Sequence, residues 1–283
     1  MSTILTALAV LAATAPGLLV SPAELAAALK DPATVVVAVG NSEDEFIAGH
    51  VPGARFVRYS EIAVDANGLG SELPTVDQLR AVLGAAGISD KSKVVIYGVP
   101  IAATRLFFTL DYFGHPNVKV LNGGLTAWKG NGGKIEIGPP AKSAAASLTP
   151  RPQPDRVVSA DWIKERLSSP RITLLDARPD AEFTGADGGM SGAHVKGHLP
   201  DAQQLVWNTL LDSTGKFLPD AELRKKYEAI GAKAGTPLVS YCMVGMRASV
   251  TYFVARHLGY DARLYDGSIV DWTRRKLPAV VGK

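Results

Sequence analysis

Leu238-Val239-Ser240-Tyr241-Cys242-Met243-Val244-Gly245-Met246-Arg247-Ala248-Ser249 sets the only cysteine of the chain between a strand-like run and a helix-like run. Leu238 to Tyr241 is short, apolar and β-prone. Val250, Phe253, Val254 and Leu258 then fall at the spacing of one helix face, which ends at Gly259. The spacing predicts Cys242 in the turn between the two elements. Such a turn offers backbone N–H groups and the positive end of a helix dipole to an anion, and a thiolate suits it. An ordinary cysteine, with pKa about 8.5, is only slightly ionised at neutral pH. Lowering that pKa by about two units requires roughly 2.7 kcal/mol of selective stabilisation of the anion. Loop amides and Arg247 are the groups placed to supply it. The alternative is a small buried hydrophobe; Gly245 and Arg247 favour the nucleophile.

Working outward, 283 residues with 47% hydrophobic and 20% charged side chains suit a globular protein of one large or two medium domains. A net charge of +3, without a basic stripe carrying aromatics, argues against a nucleic-acid partner. One cysteine excludes an internal disulfide and a thiolate zinc cluster. Residues 1–16 form an Ala/Leu-rich segment with Ala13-Thr14-Ala15 as a small-x-small site, and Pro16-Gly17 interrupts the apolar run, so no membrane span is expected. The segment reads as an export signal with a periplasmic destination, or as an apolar arm packed on the fold of a cytoplasmic protein.

The chain repeats itself. Val20-Ser21 returns as Val158-Ser159, Gly49-His50-Val51-Pro52 as Gly197-His198-Leu199-Pro200, and Leu73-Pro74 as Leu218-Pro219. Tyr97 and Trp128 return as Tyr241 and Trp272. Strands at Val35 to Val39, Lys93 to Tyr97 and Val118 to Leu121 alternate with helices at Ala23 to Leu29, Thr75 to Ala85 and Thr104 to Phe113. This is an α/β pattern with a mainly parallel sheet flanked by helices. The expected plan is a leader or arm over 1–16, a first domain over 17–134, a Pro/Gly/Ala-rich linker over 135–155, and a second domain over 156–283.

Differences between the copies place the chemistry. Gly98 stands opposite Cys242, and Ala38-Val39-Gly40 stands opposite Asp176-Ala177-Arg178, so the first copy lacks the nucleophile and two charges. The first domain then becomes a partner that walls one side of a cleft. Asp176 and Arg178 are expected to brace the site by pairing with each other or with backbone. The duplicated His198 and His50 read as turn residues, and Trp128 and Trp272 as core. A Gly-rich insertion over 185–196, containing His194, is either a flap over the site or a surface loop.

The tandem plan, Asp176-Ala177-Arg178 with Glu182-Phe183, Gly197-His198-Leu199-Pro200, the Cys242 to Arg247 loop and Tyr265-Asp266-Gly267 together resemble the two-domain rhodanese sulfurtransferases. The resemblance implies two tandem rhodanese-like domains, the second catalytic, and a Cys242 persulfide that takes sulfur from thiosulfate and gives it to cyanide or a thiol. Met243, Val244, Gly245, Met246 and Ala248 would cradle the anionic donor with their amides, and Arg247 would bind it with its planar fork. The other reading of Arg247 is a salt bridge at the helix start. No metal or organic cofactor is implied, and the expected species is a monomer acting on small molecules. In thiosulfate- and 3-mercaptopyruvate-using members alike an arginine usually stands where this chain has Glu182, so one anion contact is expected to be missing. The alternatives are a 3-mercaptopyruvate sulfurtransferase, a non-catalytic sulfur carrier and a rhodanese-like phosphatase. The last needs five residues between cysteine and arginine, and this loop has four (247 − 242 − 1 = 4).

Overall fold

The computed structural model of the protein describes residues 17–140, 146–168, 171–188 and 195–282. The leader-like 1–16 and the centre of the Gly-rich insertion, including His194, lie outside the described residues.

Each repeat builds a parallel sheet. In the first the order is Leu19–Val20, Val118–Leu121, Lys93–Tyr97, Thr34–Gly40, Arg55–Arg58, all parallel. In the second it is Ala262–Leu264, Leu238–Tyr241, Thr173–Asp176, Gln203–Gln204, with Val157 adding a parallel bridge to Leu264. The central strands are continuous apolar runs because helices cover both faces. Local signals fix the helix ends: Ser21 and Glu24 close a capping box before Pro22–Ala28, Thr75 and Gln78 another before Val76–Ala85, and left-handed Gly114 ends Pro100–Phe113.

The repeated residues do the same work twice. His50 Nδ1 bonds Phe46 O and His198 Nδ1 bonds Phe183 O, both at 2.9 Å, with each imidazole stacked on its phenylalanine. The Tyr97 hydroxyl accepts from Val51 N and that of Tyr241 from Leu199 N. Trp128 and Trp272 donate Nε1–H to Lys134 O and Pro278 O, each at 2.8 Å. These histidines and tryptophans are therefore committed to holding turns in a packed core.

The first-domain helix starts at Pro100, earlier than the expected Thr104. Gly98 and Val99 alone separate the strand end at Tyr97 from Pro100, whereas Cys242 to Arg247 separate Tyr241 from Ala248. What is loop in the second copy is wound into helix in the first, with proline at its favoured first position.

That helix packs on its counterpart, Ala248–His257. Phe107 meets Phe253 edge-on at 4.9 Å between ring centroids, and Phe108 meets Tyr252 at 5.1 Å. Asp111 takes hydrogen bonds from Tyr252 Oη and from Arg256 Nε and Nη2. One apolar cluster runs through both domains, so the interface is a core shared between them. The described part of the linker is also docked: Leu148 is buried, and Arg151 N and Gln153 N donate to Phe113 O and Tyr112 O.

Candidate active site

The site lies where the strands Leu238–Tyr241 and Thr173–Asp176 end. Cys242 leaves the first of these and has no exposed surface. Its loop bends at Gly245, whose φ of +82° suits glycine. Ser268, also in the left-handed region, puts its hydroxyl under the loop: Oγ accepts from Cys242 N at 3.1 Å and Gly245 N at 3.0 Å and donates to Tyr265 O at 2.9 Å. Ile269 N and Val270 N donate to Cys242 O and Met243 O, so the loop is docked along the 265–270 turn. Among the described residues, no acceptor meets the amides of Met243, Val244, Met246, Arg247 or Ala248. The Gly245 amide, expected to face the donor, is already used by Ser268. The side chains of Met243 and Ala248 are buried in the cores, so only their amides can line the loop, while Val244 and Met246 are half-buried.

Arg247 is not the free anion receptor that its spacing suggests. Its Nη1 and Nη2 donate to Glu182 Oε1 and Oε2, both at 2.7 Å, in a two-pronged ion pair. Burial lowers the guanidinium pKa, but the Glu182 bonds and the nearby Cys242 sulfur outweigh it, so the group is held charged. The cause is local: a partly buried carboxylate and guanidinium at this separation pair rather than stay apart.

Asp176 and Arg178 pair with each other at full burial. Arg178 Nη2 reaches Asp176 Oδ2 at 2.6 Å and Gly197 O at 2.8 Å, and Arg178 N donates to Asp176 Oδ1. Burial and the adjacent Asp176 together push the Tyr241 phenol well above its usual range. None of the three has exposed surface, so they brace the strand end beneath the loop.

The first domain supplies groups that the sequence analysis passed over. Fully buried Arg105 donates to both Asp266 oxygens, at 2.5 and 3.0 Å, and Leu73 N donates to Asp266 Oδ2 at 2.9 Å. Tyr59 and Ser71 hydroxyls lie 3.2 Å apart, and burial raises the Tyr59 phenol. Glu72 ends the hairpin Val64–Ala66/Leu69–Glu72, with its buried Oε1 meeting no partner among the described residues. One signal pointed to Arg105: it is the lone charge in the run Ile101 to Leu110, whose other residues are apolar apart from Thr104 and Thr109.

The equivalent place in the first domain is a cavity of about 520 Å³ beside Gly98, Ala102, Ala103, Gly124, Phe46 and Phe217. It is the volume left where the loop has become helix. A Cβ on Gly98 would sit 2.3 Å from Val39 O, so this backbone excludes a cysteine as it stands. Among the described residues no group of His, Cys, Asp or Glu is placed to hold a metal ion, and no helix is long and apolar enough to cross a membrane.

Two parallel sheets packed helix to helix, with a cysteine loop closed by arginine in one and erased in the other, define a tandem domain of one known kind. The family model for the rhodanese-like domain matches residues 21–131 and 159–275, and the chain belongs to that family. A thiosulfate sulfurtransferase of Corynebacterium glutamicum is 30% identical over 268 residues, covering 91% of this chain and 88% of that protein. The mitochondrial thiosulfate/3-mercaptopyruvate sulfurtransferase 1 of Arabidopsis thaliana is 29% identical over 263 residues, covering 84% and 69%. The crystal structure of YnjE superposes with a TM-score of 0.87 at 24% identity, over 95% of this chain and 70% of that one, which shows the shared fold.

Proposed function

We propose that the protein is a sulfurtransferase that carries a sulfane sulfur on Cys242, with thiosulfate as donor and cyanide or a thiol as acceptor. One observation carries this reading: the sole cysteine heads a loop whose amides at Met243, Val244, Met246, Arg247 and Ala248 meet no acceptor among the described residues. Such a ring stabilises a sulfur anion both as thiolate and as persulfide. The names of the relatives support the same class.

In the first half-reaction the Cys242 thiolate attacks the outer sulfur of thiosulfate. The sulfur–sulfur bond of the donor breaks, sulfite leaves with the electron pair, and Cys242 holds a persulfide anion. In the second, cyanide attacks the outer persulfide sulfur, thiocyanate leaves, and the thiolate returns. No oxidant or reductant enters. Because Cys242 has no exposed surface, loading requires local motion that admits the donor. The four-residue interval between Cys242 and Arg247 favours sulfur over a tetrahedral phosphoryl group.

Mass spectrometry after incubation with thiosulfate tests the reading. One sulfur is expected on Cys242 in the wild type and none in Cys242→Ser. No sulfur gained from thiosulfate or from 3-mercaptopyruvate would sink it. Faster loading from 3-mercaptopyruvate would reassign the donor, and loading without discharge to cyanide or thiols would make the protein a carrier.

A further inference from the structure

Arg105 belongs to the domain without a cysteine, yet its guanidinium ends under the cysteine loop of the other. It is fully buried, and both Nη groups are spent on Asp266. Asp266, itself 3% exposed, opens the turn whose next residues dock the loop: Ser268 Oγ holds Cys242 N and Gly245 N, and Ile269 N holds Cys242 O. The tightest bend of the loop rests directly on the pair. A Cβ on Gly245 would lie 2.4 Å from Asp266 Oδ1 and 3.4 Å from Arg105 Nη1.

Asp266 cannot keep this position unaided. A buried carboxylate without a cation protonates or turns toward water. The other ionisable groups that act with Asp266 are Glu72 and the Tyr59 phenol; Asp271, which also acts on Glu72, is taken up by Arg275 and the Tyr265 hydroxyl. Arg105 is thus the cation paired with Asp266 at this spot, through both carboxylate oxygens, and Leu73 N, again from the first domain, donates to the second of them.

We propose that Arg105 is a positioning residue for the Cys242 loop, lent by the inactive domain through Asp266 and the Ser268 turn. The proposal rests on the sulfurtransferase reading for its activity assay. The competing role, adhesion between domains, is separable, because a second interdomain pair, Arg256 to Asp111, lies toward the far end of the same helix from the loop.

The test uses the full chain and compares Arg105→Met and Arg105→Lys with Arg256→Met. Two readouts are taken: sulfur loading from thiosulfate, and alkylation of Cys242 by iodoacetamide. Arg105→Met is expected to lower the loading kcat by about tenfold or more with donor KM within about twofold, and to change Cys242 alkylation by a similar factor. Arg105→Lys keeps the charge but not the fork and should fall between. Arg256→Met should lower Tm and leave both readouts at wild-type values. Wild-type rates in folded Arg105→Met, or an equal loss in Arg256→Met, would overturn the proposal. If Arg105→Met does not fold, Arg105→Lys decides: wild-type alkylation and loading in that variant overturn it, and reduced values uphold it. If the wild type takes up no sulfur, the function reading fails, and the alkylation comparison still decides the positioning role.

Discussion

Glu182 and Arg247 face each other through two parallel hydrogen bonds of 2.7 Å at the mouth of the cysteine loop. The pair is formally neutral, so the cation closing the loop is offset just where a dianionic donor would arrive. At an effective dielectric constant of about 20, a unit charge roughly 6 Å away is worth about 3 kcal/mol before salt screening. Glu182→Gln keeps the shape and removes the charge, and KM for thiosulfate is expected to fall by roughly tenfold with a smaller change in kcat. Steady-state kinetics at low and high salt check this, since the gain should shrink as salt rises. An unchanged or raised KM would mean that Arg247 needs Glu182 to orient it more than it suffers from the charge.

Ser268 is the hydroxyl on which the loop sits. Ser268→Ala preserves the backbone and Cβ but strips the acceptor from Cys242 N and Gly245 N. Two amides then lose a partner, a cost of about 1–3 kcal/mol in unfolding free energy. The loading rate should fall further than that loss of stability explains, because the loop curvature that aims its amides is held at these two points. Urea unfolding and single-turnover loading, measured on the same preparation, separate the two effects. A stability loss with an unchanged loading rate would remove Ser268 from the site.

Removing one partner of the Asp176 and Arg178 pair leaves a charge with no exposed surface and no counterion. Arg178→Met is expected to cost about 3–5 kcal/mol, a fall in Tm of roughly 10 °C in a chain of this size. The double variant Asp176→Leu/Arg178→Met should recover much of this, since two apolar side chains leave no unpaired charge. Calorimetry on the three proteins checks the order. A double variant less stable than Arg178→Met would show that the bonds to Gly197 O and the local backbone matter more than charge balance.

What the sequence made legible was local. The strands Lys93–Tyr97, Val118–Leu121 and Leu238–Tyr241 coincide with mostly apolar, β-prone runs that have glycine, proline or asparagine at one end or both, because burial writes itself into nearby residues. The duplicated His50/His198 and Trp128/Trp272 were readable because two copies fix what one cannot. The start of the first-domain helix was not. Its sequence aligns with a loop in the other copy, and the helix begins instead at Pro100, with proline at its favoured first position. The site was half-legible for the same reason. Cys242, Gly245 and Arg247 lie together in sequence, whereas Arg247 and Glu182 are 65 residues apart and Arg105 and Asp266 are 161 apart. Nothing local in the chain records such pairings, and one of them gives Arg247 a carboxylate partner.

Glu72 gives the protein a pH dependence of stability whose sign can be worked out. Its carboxyl is pushed up to about 7, by burial first and then by Asp266, with Arg105 opposing and Asp271 adding. In the unfolded chain the same group titrates near 4.3. Between those values the folded protein holds a proton that the unfolded chain has released, so stability falls as pH rises and levels off above the folded-state pKa. Glu72→Gln mimics the protonated form and removes this fall. Relative to wild type the variant should therefore gain stability at pH 8 compared with pH 5, as measured by urea unfolding at constant ionic strength. An equal difference between the two proteins at both pH values would mean that Glu72 is ionised in the folded state throughout, and that Arg105 outweighs its burial and its acidic neighbours.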